Sequence, residues 1–128
     1  MASDRKTADI RITAEPGVVR VVYRGKVEFD LTTGMLRDAA NMASENNTSS
    51  LLFDIRDADY RGYHLEAIKH TDQGPALGIS LTFRVAFLGS KGEEMLAFVE
   101  NVTANRGYRS KAFTDESEAL AWLRSDAT

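Results

Sequence analysis

The chain has 128 residues, 43% of them apolar, 9% aromatic and 27% charged; this length suits one domain with one core, and the balance excludes wholesale disorder and a coiled rod. Sixteen Lys and Arg against nineteen Asp and Glu leave a net charge of −3, which argues against a dedicated nucleic-acid binder, whose affinity comes largely from neutralising phosphates. Cysteine is absent, which excludes disulfides, thiol catalysis, iron–sulfur clusters and thiolate zinc sites.

Residues 1–9 (MASDRKTAD) are polar and mixed in charge. They predict a flexible N-terminal segment ahead of a single domain over 10–125. The apolar runs, Val85 to Leu88 and Leu51 to Phe53 among them, fall far short of the roughly 20 residues of a spanning helix. With no signal peptide in view, a cytoplasmic protein is expected.

Ile10, Ile12 and Ala14 alternate with polar residues, the period of a half-buried strand. Pro16-Gly17 supplies a turn, and the β-branched run from Val18 to Tyr23 completes a hairpin ending near Gly25. From Asp30, a candidate N-cap, the period turns helical through Leu31, Met35, Leu36, Ala39, Met42 and Ala43. A polar break over 45–50 leads into Leu51-Leu-Phe-Asp-Ile55, a short apolar run predicted to be a buried central strand. Residues 56–63 (RDADYRGY) then read as a charged loop.

A modest helix follows over 64–71, with Leu65 and Ile68 inward and Gly74-Pro75 as its limit. Phe83 to Leu88 is the next strand. Ser90-Lys-Gly-Glu93 has the form of a capping box, ahead of a helix carrying Met95, Leu96, Val99 and Val102, with Gly107 closing it. A last strand over 108–113 precedes a terminal helix starting at Asp115, with Ala119, Leu120 and Leu123 inward and Trp122 beside them. The order ββαβαβαβα predicts an α/β fold: a mixed, mostly parallel sheet with an opening antiparallel hairpin and right-handed crossovers.

In that order and length the chain resembles the SpoIIAA-like, or STAS, family, best known for the anti-sigma factor antagonists. The resemblance is carried by the hairpin from Ile10 to Arg24, by the Leu51–Ile55 strand with its polar loop, and by the ending Phe113-Thr-Asp-Glu-Ser-Glu-Ala-Leu-Ala-Trp-Leu123. That ending is similar to the F-x-D-x-x-E-A-x-x-W-L tail of small SpoIIAA-like proteins of unassigned role. The family's antagonists carry a phosphorylatable serine motif where the helix after the third strand begins. Here the equivalent stretch, residues 59–65 (DYRGYHL), has neither Ser nor Thr. The resemblance therefore implies the fold and excludes a phosphorylation switch at that place.

Several constellations could carry chemistry. Asp54, Asp57 and Asp59 form a D-x-x-D-x-D cluster whose carboxylates could hold Mg²⁺, but Arg56 and Arg61 lie among them as ion-pair partners. An EF-hand loop from Asp57 would require Glu where Ile68 stands. His64 and His70 are six residues apart, roughly 600° of helix and so on different faces, which is not the spacing of a zinc pair. His64 among acidic residues could act as a base, with Asp57 or Asp59 as helper, but no nucleophile accompanies it. Gly89-Ser-Lys-Gly92 opens a helix after a strand but lacks P-loop spacing. Arg106, Tyr108, Arg109 and Lys111 make a small basic–aromatic patch, and Met35, Met42, Met95, Tyr60 and Tyr63 could line an apolar pocket.

The expectation from sequence is a non-catalytic binding module with no cofactor and no metal. Its working surface would be the loop holding Asp57, Asp59, Tyr60, Arg61, Tyr63 and His64. The first expected partner is a protein, including a second copy in a homodimer. The alternative is a small apolar or lipid-like ligand in a cleft between the helices and the sheet.

Overall fold

The computed structural model describes residues 8–125. Its elements run β1 (Asp9–Glu15), β2 (Val18–Lys26), α1 (Phe29–Glu45), β3 (Ser50–Asp59), α2 (His64–Gln73), a 3₁₀ turn (Pro75–Leu77), β4 (Arg84–Leu88), α3 (Glu94–Asn105), β5 (Arg109–Phe113) and α4 (Glu116–Arg124). Of the segment predicted to be flexible, residues 1–7 lie outside the described residues, and Asp9 already belongs to β1.

The sheet order is β1-β2-β3-β4-β5, with β1 antiparallel to β2 and every later pair parallel. Because each new strand is added on the same side, right-handed crossovers must put α1, α2 and α3 on one face of the sheet. Only α4, after the last strand, is free to cover the other face. Residues along β2 divide accordingly. Val19, Val21 and Tyr23 pack with Met35, Ala39 and Ala43 of α1, whereas Val18 joins Leu52, Ala86 and Phe113 beneath Ala119 and Leu123 of α4. The central strand β3 is apolar on both faces over Leu51 to Phe53, as a strand covered on both sides should be.

One irregularity decides where the later residues of β3 point. Between the pairs Val22↔Asp54 and Arg24↔Asp57, β3 carries one residue more than β2, a bulge of a kind uncommon between parallel strands. The strand therefore does not stop at Ile55. It continues to Asp59, because β2 is long enough to pair with it as far as Lys26↔Asp59. Half of the predicted loop over 56–63 is strand. Phe53 and Ile55 lie on the α1–α3 side, and beyond the bulge so do Ala58 and Tyr60. Asp57 instead reaches Arg24, 3.8 Å away.

Three local readings are corrected. Asp30 is not the cap of α1; Glu28 is, and Asp30 sits in the first turn, where its charge complements the helix dipole. The capping box of Ser90 and Glu93 does not form, because Gly92 at φ +83° keeps 90–93 a turn and α3 begins at Glu94. Leu65, expected inward, is 59% exposed, and α2 instead buries Ala67 and His70. At the C-terminus the side chain of Asp115 accepts the Glu118 N–H at 2.9 Å, a true N-cap for α4.

Candidate functional site

Between the sheet and helices α1–α3 lies a cavity of about 130 Å³. Val21, Phe53, Ile55, Val85 and Phe87 form its floor, Thr32, Met35 and Leu36 of α1 one wall, and Ala67, His70 and Thr71 of α2 another. Met95, Val99 and Thr103 of α3 close the far side, with Tyr23, Tyr60, Tyr63 and Tyr108 around them. Among the described residues that line it there is no Asp, Glu, Lys or Arg. Of the pocket lining expected from sequence, Met35, Met95, Tyr60 and Tyr63 take part. Met42 packs at the edge of the core instead.

A polar network runs along the α1–α2 side. His70 is 5% exposed and stacks on Phe29 with ring centroids 4.2 Å apart. Its Nε2 lies 3.1 Å from the Phe29 carbonyl, which can only accept, so the neutral ring carries its hydrogen there. Nδ1 is then left to accept from the Tyr63 hydroxyl. Thr33 Oγ1 stands 2.9 Å from Nε2 and donates to the same Phe29 carbonyl. Burial lowers the His70 pKa below its ordinary value, against opposition from the Phe29 carbonyl and the Glu66 carboxylate. Burial likewise raises the Tyr63 phenol, and it pushes Tyr108 up to about 12. A second cluster joins Tyr23 Oη to Thr32 Oγ1 at 3.1 Å, with the Glu28 N–H donating to Tyr23 Oη at 3.2 Å.

The loop singled out from sequence is divided. Asp59, Tyr60, Arg61 and His64 come together along a polar cleft of about 360 Å³, facing Glu93 and Glu94 at the start of α3. Tyr60 and Met95 line both this cleft and the inner cavity, and so form the wall between them. Tyr60 is buried; that burial, with Glu93 nearby, pushes its phenol up to about 12. Tyr63 turns inward to His70, and Asp57 stands apart with Arg24. Hydrogen bonds from Arg61 hold the Asp59 carboxyl down at about 2. His64 is exposed and meets the edge of Phe98 at 4.7 Å.

The three aspartates do not converge. Burial alone would raise the Asp54 carboxyl, but Arg56 donates from Nε at 2.9 Å, Nη2 at 2.7 Å and its backbone N–H at 3.2 Å, holding it below the usual range. Among the described residues no three His, Asp or Glu side chains are grouped to hold a metal ion. The basic–aromatic patch also separates: Arg106 pairs with Asp72 at 2.7 Å, while Tyr108 is buried and donates to the Ile79 carbonyl. Among the described residues no helix is long and apolar enough to cross a membrane.

No protein-family model matches the sequence, and no curated protein matches it either. Solved structures do resemble it. An uncharacterized protein of the DUF3478 family with a SpoIIAA-like fold, from Shewanella loihica, superposes with a TM-score of 0.57 at 21% identity, over 91% of this chain and 93% of that one. An anti-sigma factor antagonist from Mycobacterium paratuberculosis gives 0.55 at 13% identity, over 93% of this chain and 96% of that one. The anti-sigma factor antagonist SpoIIAA in its unphosphorylated form gives 0.54 at 11% identity, over 91% and 99%. The chain has the SpoIIAA-like fold.

Proposed function

We propose that the protein is a non-catalytic binding module that holds a small apolar molecule in the cavity between its sheet and helices α1–α3. The observation that carries this reading is the cavity itself, about 130 Å³, with no charged side chain among the described residues that line it. Left unfilled, such a cavity forfeits the dispersion energy of the contacts its apolar lining would otherwise make. A ligand that packs there recovers that energy and stabilises the fold by mass action. Native mass spectrometry of gently purified protein tests the reading. A reproducible added mass, lost on denaturation and absent from the cavity-filling variant Ala67→Leu, supports it. A bare mass, together with no gain in melting temperature from any small apolar compound, refutes it.

A second reading rests on a different surface. Leu65 is 59% exposed beside the loop of Asp59, Arg61 and His64, and two of the structural neighbours are anti-sigma factor antagonists, proteins named for a protein target. On this reading the loop docks a protein, including a second copy of the chain. Sedimentation showing a dimer that Leu65→Asp disperses would favour self-association; a monomer at all concentrations would remove it.

A further inference from the structure

The cavity's hydroxyl hydrogens can be accounted for one by one. Tyr60 has two acceptors in reach, the Glu93 carboxylate and the Ile55 carbonyl at 3.5 Å, and Tyr108 donates to the Ile79 carbonyl. Tyr63 donates to His70 Nδ1, Thr71 to the Ala67 carbonyl and Thr103 to the Val99 carbonyl. Tyr23 and Thr32 differ. Their two hydroxyls share a single mutual bond of 3.1 Å, and among the described residues the only other partner of either oxygen is the Glu28 N–H, itself a donor. One of the two hydrogens is spent on that bond; the other has no acceptor among the described residues. Both residues line the cavity, and they are 3% and 4% exposed. A buried donor without an acceptor is costly, so the site favours a ligand that supplies one.

Two further observations narrow the chemistry. Among the described residues the lining contains no cation to balance an anion, and a carboxylate taken from water into such a place is strongly penalised. The volume, about 130 Å³, is close to that of an engineered cavity of roughly 150 Å³ that takes benzene. Resting on the ligand-binding reading, we infer that the cavity takes a neutral molecule, about one ring in size, whose single carbonyl or ether oxygen accepts the spare hydroxyl hydrogen of the Tyr23–Thr32 pair.

Acetophenone and α-methylstyrene are matched probes, alike in shape but differing in C=O against C=CH₂, with benzoate as the charged control. In titrations of the whole chain both neutral probes should bind, and benzoate should not. Either hydroxyl of the pair can carry the free hydrogen, so the double variant Tyr23→Phe/Thr32→Val is needed to remove it. That variant should weaken acetophenone relative to α-methylstyrene by about tenfold. In the unaltered protein, which does not depend on that variant folding, the carbonyl stretch of bound acetophenone should lie at lower frequency than in an alkane solvent. An unshifted carbonyl, an unchanged affinity ratio in the folded double variant, or benzoate binding as tightly as acetophenone overturns this inference while leaving the cavity reading intact. Failure of both neutral probes to bind also overturns this inference, and together with a bare native mass it overturns the cavity reading as well.

Discussion

Acidification should loosen this fold through His70. The ring is 5% exposed, stacked on Phe29, and committed at both nitrogens: Nε2–H toward the Phe29 carbonyl, Nδ1 toward the Tyr63 hydroxyl. Adding a proton would place a second hydrogen at Nδ1, facing the one Tyr63 already donates. Burial lowers the native pKa from its ordinary 6.5, and the Phe29 carbonyl and Glu66 offset only part of that. Unfolded chain therefore takes up a proton near the ordinary value while native chain does not. The stabilisation is complete above that pH and is lost as pH falls from the unfolded pKa toward the native one, with a limiting slope of about 1.4 kcal/mol per pH unit. Urea unfolding at pH 7.5, 6.5 and 5.5, for the natural chain and for His70→Gln, isolates this contribution, because the variant removes the imidazole and keeps every carboxylate. The natural chain should lose more stability on acidification than the variant, by up to about 1.4 kcal/mol per pH unit below 6.5. Parallel profiles would refute the argument.

Three other outcomes rest on particular contacts. Leu52→Ala empties a fully buried position between the sheet and α4 and should cost about 2–5 kcal/mol in urea unfolding. Gly78→Ala should cost more than about 1 kcal/mol, because Gly78 sits at φ +107° and a Cβ there would lie 2.9 Å from the Cβ of Ala40; an unchanged urea midpoint would contradict it. Arg61→Ala should leave the urea midpoint where it is, since the guanidinium is 90% exposed and exposed pairs contribute little. NMR titration of that variant should show the Asp59 carboxyl rising from about 2 toward the ordinary range.

Much of the architecture is legible in the sequence, because periodicity is a direct record of which face is buried. The hairpin, the apolar strands, the helix ended by Gly107 and the Asp115 cap all follow from local pattern. What local pattern does not show is pairing at a distance. Residues 56–59 look like loop because they are charged, yet they are strand because β2 extends alongside them to Lys26. The site is harder still. Placing Leu65 inward turns α2 so that His70 faces solvent, whereas the residues α2 buries are Ala67 and His70. The usable signal is Tyr63, Ala67, His70 and Thr71, spaced as one helical stripe of small and amphipathic side chains. The Tyr23–Thr32 pair has no such signal, since it joins a strand to a helix across a connection.

The extra residue in β3 makes length a matter of parity. On a strand, neighbours alternate between faces, so two residues on the same face of a regular strand are an even number of positions apart. Phe53 and Tyr60 share the helix-covered face yet are separated by an odd number, and the bulge absorbs the difference. The bulge is therefore the one part of this strand that can give up a single residue at no cost to the pattern. A chain lacking residue 56 would pair regularly with β2 and still send Ala58 and Tyr60 inward. A chain lacking residue 58 instead, with the bulge kept, would turn Asp59 toward the cavity and Tyr60 away from it. Related chains that keep this cavity should thus fall into two groups: an odd separation between the two aromatic positions with a bulge, or an even one with a flat strand.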